Sequence, residues 1–195
     1  MENLNVGIII PDRNDRPKFL ENCLRMIHAQ TIQPTIIEVV NDTPISDACD
    51  ITMRYRLGYE RLMGKNLDCI LFIENDDWYS TNYIETMVKK WVELGRPQLF
   101  GTQYTIYYHI GVRGYFQFDH FRRASAMNTL IVPDLEIDWG NDSNPYTDSH
   151  LWFLAKTNKS TLKGLTFMPM NVISIGIKHG FGKTGGAFHT DKLER

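Results

Sequence analysis

Leu71-Phe72-Ile73-Glu74-Asn75-Asp76-Asp77-Trp78-Tyr79 decides how this chain is to be read. The apolar run Cys69-Ile70-Leu71-Phe72 continues through Ile73 and stops at three carboxylates within four positions: Glu74, Asp76 and Asp77. Apolar runs of this length bounded by polar residues are the mark of buried parallel strands. Carboxylates crowded at a strand end repel one another unless a cation sits between them. Hard divalent cations, often carrying a diphosphate, take oxygen ligands, and ligands of open α/β sheets bind at the C-terminal strand ends. The plainer alternative is a solvated acidic turn before the next helix, with Ser80 or Thr81 as N-cap.

Working outward, strands and helices alternate. Val6 to Ile10 is an apolar run ended by Pro11-Asp12-Arg13-Asn14-Asp15-Arg16-Pro17. Phe19, Leu20, Cys23, Leu24 and Ile27 recur at helical spacing, which predicts a helix from about Lys18 to Gln30. Ile36 to Val40 is a second strand. A helix opened by Asp50 or Thr52 runs to about Met63 and is closed by Gly64; another runs from Tyr83 to Leu94 and is closed by Gly95. This β-α-β-α-β-α order implies a parallel sheet with right-handed crossovers. The pattern then changes. Leu99 to Gly114 and Tyr115 to Val132 are rich in aromatic and β-branched residues, predicting antiparallel strands or hairpins at the far side of the sheet. Asp148 to Lys156 reads as a helix, Thr166 to Met168 and Val172 to Ile177 as strands, and Lys178 to His189 as a glycine-rich loop.

With 195 residues, 43% of them hydrophobic, the chain can bury the core of a single domain spanning 1–195. A net charge of −2 with interspersed signs calls for no nucleic-acid or membrane partner. No apolar run approaches the roughly 20 residues of a transmembrane helix, and the N-terminus lacks a signal-peptide core. Three widely spaced cysteines fit reduced thiols and a cytoplasmic location, with Cys23 and Cys69 in the core.

Strands of a parallel sheet share one C-terminal edge. Asp12 with Arg13, Asp42, and Glu74 with Asp76 and Asp77 are therefore expected to converge. No G-x-G-x-x-G follows the first strand and no G-x-x-x-x-G-K-[ST] occurs, which argues against a dinucleotide-binding Rossmann domain or a P-loop ATPase.

The segment Val6 to Leu24 resembles the start of inverting family 2 glycosyltransferases of the GT-A fold. There a first strand leads into Pro-Thr-Tyr-Asn-Arg and a helix ending in Ala-Gln-Thr, as Ala29-Gln30-Thr31 stands here. Val40-Asn41-Asp42 matches the family's second strand end, and Glu74-Asn75-Asp76-Asp77-Trp78-Tyr79 its Asp-x-Asp-Asp-Trp-Tyr segment. The motifs fall in the family's order and spacing from about Val6 to Trp91, and the likeness thins past Gly101. It implies a GT-A nucleotide-diphospho-sugar transferase fold: a Rossmann-like, mostly parallel central sheet flanked by helices, with an antiparallel or mixed C-terminal part. The nucleotide-binding half would span about 1–100 and the acceptor half about 101–195.

The resemblance also implies roles. Asp42 would accept from the imide of a uracil-like base while Pro11, Asp12 and Arg13 wall the nucleotide. Asp76 would hold Mn2+ or Mg2+ against the diphosphate, with Glu74 and Asn75 near ribose or sugar and Asp77 in support. Glu74 stands where the family usually has aspartate, one methylene longer. Arg54 and Arg56 either reach the nucleotide or form a solvated helix face. The family's general base lies in a Glu-Asp-x-x-Leu-Trp-like pattern. Thr147-Asp148-Ser149-His150-Leu151-Trp152 nominates Asp148 here, with Thr147 in place of the usual glutamate. Asp148 is otherwise a helix cap, and Asp142 and Asp138 are reserves; His150 belongs to the acceptor side or to solvent. In the glycine-rich tail, Lys183 would meet the diphosphate and His189, ahead of His179, would complete the metal shell; the alternative is a frayed terminus. Aromatic residues from Tyr104 to Phe121 mostly serve packing, with one or two rings free to stack on a sugar.

The reading is a metal-dependent inverting glycosyltransferase with a nucleotide-sugar donor, UDP first, and a polysaccharide, lipid-linked or protein-glycan acceptor. It is either one domain of a longer protein or a compact enzyme of viral or phage kind. A non-catalytic nucleotide- or glycan-binding module of the same fold is the alternative. A sugar nucleotidylyltransferase fits less well, because Pro11 to Pro17 contains no glycine for a phosphate loop.

Overall fold

The apolar runs beginning at Val6, Ile36 and Cys69 become neighbouring parallel strands in the computed structural model, which describes residues 4–43, 48–157 and 163–180. They are β1 (Val6–Pro11), β2 (Ile36–Val40) and β3 (Cys69–Phe72), joined through α1 (Pro17–His28) and α2 (Ile51–Leu62). A two-residue strand, β4 (Trp78–Tyr79), precedes α3 (Tyr83–Glu93). Then come β5 (Leu99–Thr102), β6 (Tyr104–His109), β7 (Gly114–Asp119), β8 (Thr129–Ile131), α4 (Thr147–Thr157), β9 (Gly164–Phe167) and β10 (Ser174–Lys178).

Side-chain alternation sorts the helices into two layers. Val6, Ile8 and Ile10 with Cys69, Leu71 and Ile73 face α1 and α3, packing on Cys23, Ile27, Tyr83, Met87 and Trp91. Ile9, Val40, Ile70 and Phe72 face Tyr55, Tyr59 and Leu62 of α2 and Leu151 and Trp152 of α4. β1 and β3, covered on both sides, are therefore apolar throughout, whereas β2 at the sheet edge is half-buried and carries Glu38. Helix ends follow local chemistry: Pro17 opens α1, while Gly64 and Gly95 take positive φ just beyond α2 and α3.

The main sheet has the order β2-β1-β3-β8-β5-β9. All its strands are parallel except β8, which runs against both β3 and β5. Such a mostly parallel sheet flanked by helices, with a mixed C-terminal part, is the α/β architecture expected from the sequence. Gly101 of β5 permits the reversed strand's approach, since a Cβ there would lie 2.4 Å from the Asn128 carbonyl oxygen. The reversal delivers the segment before β8, Ser125 to Asn128, to the edge where β1 and β3 end.

The expected hairpins do not extend the main sheet. β6 and β7 pair with each other in a second sheet of order β4-β10-β6-β7. Period-2 patterning fixes which faces a strand has, not which sheet it joins. In this sheet β10 is antiparallel to β4 and parallel to β6, so the chain leaving β10 passes beside the acidic turn. The α3 cap also differs from expectation. Asn82, rather than Ser80 or Thr81, flanks the helix, and the Ile84 amide donates to Gln30 Oε1 at 3.0 Å. Gln30 in turn donates to the Ser80 carbonyl at 2.7 Å, so the Ala-Gln-Thr end of α1 supplies α3's missing acceptor. The acidic turn caps no helix. Among the described residues, no helix is long and apolar enough to cross a membrane.

Candidate active site

A cleft of about 900 Å³ opens at the C-terminal edge of the main sheet, where the chain leaves β1 toward β2 on one side and β3 lies on the other. Strand order reverses there, which leaves a crevice that crossovers do not fill. Pro11, Arg13, Arg54, Glu74, Asn75, Asp76, Asp77 and Asp148 all line it. Residues separated by more than 100 positions in the sequence thus share one cavity.

The β1 end supplies scaffold. Asp12 is 1% exposed; its Oδ1 accepts from Asn75 Nδ2 at 2.6 Å and its Oδ2 from the Asn14 amide at 3.1 Å. Burial pushes its pKa upward against these hydrogen bonds. Asp12 and Asn75 therefore hold the β1 and β3 ends together, and of the two only Asn75 also lines the cleft. Arg13 stands 3.7 Å from both Asp15 and Asp50. Arg54 is buried and tied to Asp50 and to the carbonyls of Val40 and Thr43, which staples α2 to the end of β2. It is neither a solvated helix residue nor an idle cation.

The acidic turn forms one wall. Glu74, Asp76 and Asp77 each present an oxygen, and these atoms lie within 4.8 Å of one another. Asp77 Oδ1 accepts from the Ile177 amide of β10 at 2.7 Å, and the Glu74 amide donates to the Tyr79 hydroxyl at 2.9 Å. Asp76 Oδ2 accepts from Arg16 Nη1 at 2.9 Å and lies 2.8 Å from His179 Nε2. Burial, then the negative Asp76, push Glu74 up to about 7. Burial and the same crowding hold Asp77 well above the usual carboxylate range. Asp76 goes the other way: burial opposes its ionisation, but the His179 hydrogen bond and the Arg16 charge keep it low. The wall is short of positive charge. Three carboxylate oxygens form a donor set suited to Mn2+ or Mg2+, and the His179 imidazole adjoins it at Asp76 alone.

Asp148, in the first turn of α4, lines the same cleft and accepts a hydrogen bond from Arg123. Burial pushes its pKa up while Arg123 pulls it down, with burial prevailing. Tyr107 and Phe118 of the β6–β7 hairpin and His120 just after it complete this side. His120 Nε2 is 3.2 Å from Thr105 Oγ1, and burial with the nearby Arg123 charge pushes its pKa down to about 3. Lys178 at the end of β10 lies 4.7 Å from the centre of the Tyr107 ring.

Other sequence candidates lie elsewhere. Asp42 is turned to Arg61 at 2.9 Å on the surface, with 64% of its side chain exposed, and does not line the cleft. Arg56 grips Asp142 through two 2.9 Å hydrogen bonds, which removes both from the cleft lining. His150 sits 3.1 Å from the Asp138 carbonyl, and neither residue lines the cleft. Lys183 and His189 are outside the described residues, while His179, placed second to His189 from the sequence, meets Asp76 directly. Sequence reasoning passed over Arg16, Asp50, Arg123 and His120. Arg16 stood inside the quoted Pro11–Pro17 segment and carried a usable signal. Arg123 and His120 gave none, because their roles arise from pairings set by the second sheet.

No family model matches the sequence, and no curated protein matches it significantly. Among solved structures, one described as a glycosyltransferase involved in the glycosylation of the major capsid of PBCV-1 is similar at 8% identity and a TM-score of 0.47. The match covers 85% of this chain and 82% of that one. At this distance it assigns neither donor nor acceptor.

Proposed function

We propose that this protein is a metal-dependent inverting glycosyltransferase of the family 2 kind, moving a sugar from a nucleotide-sugar, UDP first, to a hydroxyl of a carbohydrate-type acceptor. The observation that carries the reading is the meeting of two features in one cleft: a cation-seeking carboxylate set with His179 beside it, and a separate, mostly buried carboxylate, Asp148.

Glu74, Asp76, Asp77 and His179 would hold Mn2+ or Mg2+, which when bound offsets the charge developing on the departing diphosphate. Arg13 and Lys178 line the same cleft and supply fixed positive charge for phosphate oxygens. Asp148 takes the proton of the acceptor hydroxyl as that oxygen bonds to the anomeric carbon and the bond from carbon to the diphosphate oxygen breaks. One displacement inverts the configuration. A raised pKa suits Asp148 to this task, since a stronger base draws the proton more readily. Asp42 reads a uracil only if a bound donor draws it from Arg61.

One observation favours the second reading, a nucleotide- or glycan-binding module: Arg123 already occupies Asp148. Turnover separates the two. Incubation with Mn2+ and a panel of nucleotide-sugars, read as release of nucleoside diphosphate, is expected to show activity in the native protein that Asp148→Asn loses. Binding without turnover in the native protein would establish the module instead.

A further inference from the structure

Asp76 Oδ2 carries two partners from distant parts of the chain. Arg16 Nη1 is at 2.9 Å and His179 Nε2 at 2.8 Å, and those two nitrogens are 3.2 Å apart. The Arg16 guanidinium also lies 5.2 Å from the centre of the Phe19 ring, and that ring is 5.0 Å from the His179 ring. Arg16 is thus packed in place on the oxygen that the metal reading assigns to a cation. Its position is not explained by helix capping: although it sits at the N-cap of α1, its side chain makes no capping hydrogen bond.

We propose that Arg16 is the built-in counter-cation of Asp76, and that a divalent metal and the Arg16 guanidinium compete for that carboxylate. The inference rests on the metal reading above and adds a residue to it. A divalent ion and a guanidinium on one carboxylate repel each other and share its single charge, so metal loading weakens the hold of Arg16 on Asp76. Arg16 itself lines the cleft, and its side chain is 27% exposed, so it has a path outward. A guanidinium released there presents a planar fork of donors matched to phosphate oxygens. In the metal-free protein Arg16 offsets charge on an otherwise crowded acidic wall; in the loaded protein it is available to the donor. The same side chain thus serves both states.

Binding of Mn2+ alone, read by electron paramagnetic resonance of the free ion, tests this without any turnover. Arg16→Met removes the competitor and is expected to bind Mn2+ about two- to fivefold more tightly than the native protein, the range for losing a partly exposed ion pair. Arg16→Lys keeps the charge and is expected to stay near the native affinity. Unchanged or weaker binding in Arg16→Met overturns the proposal. Equal tightening in Arg16→Lys does the same, because the effect would then come from altered packing. If Arg16→Met does not fold, Arg16→Gln carries the same test. Asp76→Ala keeps the two failures apart. Mn2+ binding lost in Asp76→Ala but indifferent to Arg16 leaves the metal site standing and removes only the competition. Binding by native protein and Asp76→Ala alike, with UDP present, removes the metal reading and the competition with it.

Discussion

Asp76 and Asp148 line the same cleft, yet one takes its side-chain partners from two distant segments and the other from Arg123, with backbone amides of its own helix start. Asp76 receives Arg16 from the β1–α1 connection and His179 from beyond β10, and its neighbour Asp77 is fastened to the β10 backbone. Asp148 is held among side chains by Arg123. Groups tied to several elements keep their geometry when one tie is cut, whereas a group with one ionic partner can exchange it. The Asp76 wall is built to position, and the Asp148 wall to change state. In the proposed reaction the first takes up a cation and the second a proton.

The largest expected effect breaks the second wall alone. Asp148→Asn is expected to lower sugar transfer by about 10²- to 10⁴-fold, the usual contribution of a general base, while UDP affinity stays within about twofold. The pH profile sharpens it. In the proposed reaction Asp148 acts as a carboxylate, so activity is expected to fall as pH drops through its pKa. Burial raises that pKa above the ordinary 3.8, so the loss begins at a higher pH than for an exposed aspartate. A transfer rate in Asp148→Asn equal to the native rate would move the base elsewhere.

The first wall was largely legible in the sequence and the second was not. Val6–Pro11, Ile36–Val40 and Cys69–Phe72 announce themselves as buried parallel strands, and parallel strands align their ends without further information. Glu74, Asp76 and Asp77 could therefore be placed at a common edge, together with Asp12 and Arg13. Asp42 shows the limit of that rule: it follows β2, but a surface arginine three turns away on the neighbouring helix claims its carboxylate. Asp148 was nominated by resemblance, while its partner Arg123 depends on where the β6–β7 hairpin goes, which alternation does not encode. The contact of His179 with Asp76 spans 103 positions and follows from β10 entering the second sheet.

A smaller effect separates the walls by acid response. His120, on the Asp148 side, is held to about 3 against an ordinary 6.5, so between these values the unfolded chain takes up a proton that the folded chain refuses. Stability is then complete above 6.5 and declines as pH falls toward 3. His120→Gln is expected to lose less Tm than the native protein between about pH 7 and pH 5; an identical slope would place the acid sensitivity elsewhere.

Asp42→Ala gives the smallest effect. Its carboxylate is exposed and paired only at the surface, so Tm and UDP affinity are expected to remain near native, within about twofold for binding. A loss of tenfold or more would show that the Asp42–Arg61 pair opens toward the donor, joining the β2 end to the first wall.

Thermal unfolding with Mn2+ and a panel of nucleoside diphosphates, with Asp76→Ala alongside, tests the Asp76 wall most directly. A ligand at about 100 times its dissociation constant adds about 2.7 kcal/mol to a folded state that alone binds it. The account predicts a Mn2+-dependent rise in Tm with one nucleoside diphosphate, UDP first, that Asp76→Ala abolishes. No shift with any nucleotide, or the same shift in Asp76→Ala, would contradict it.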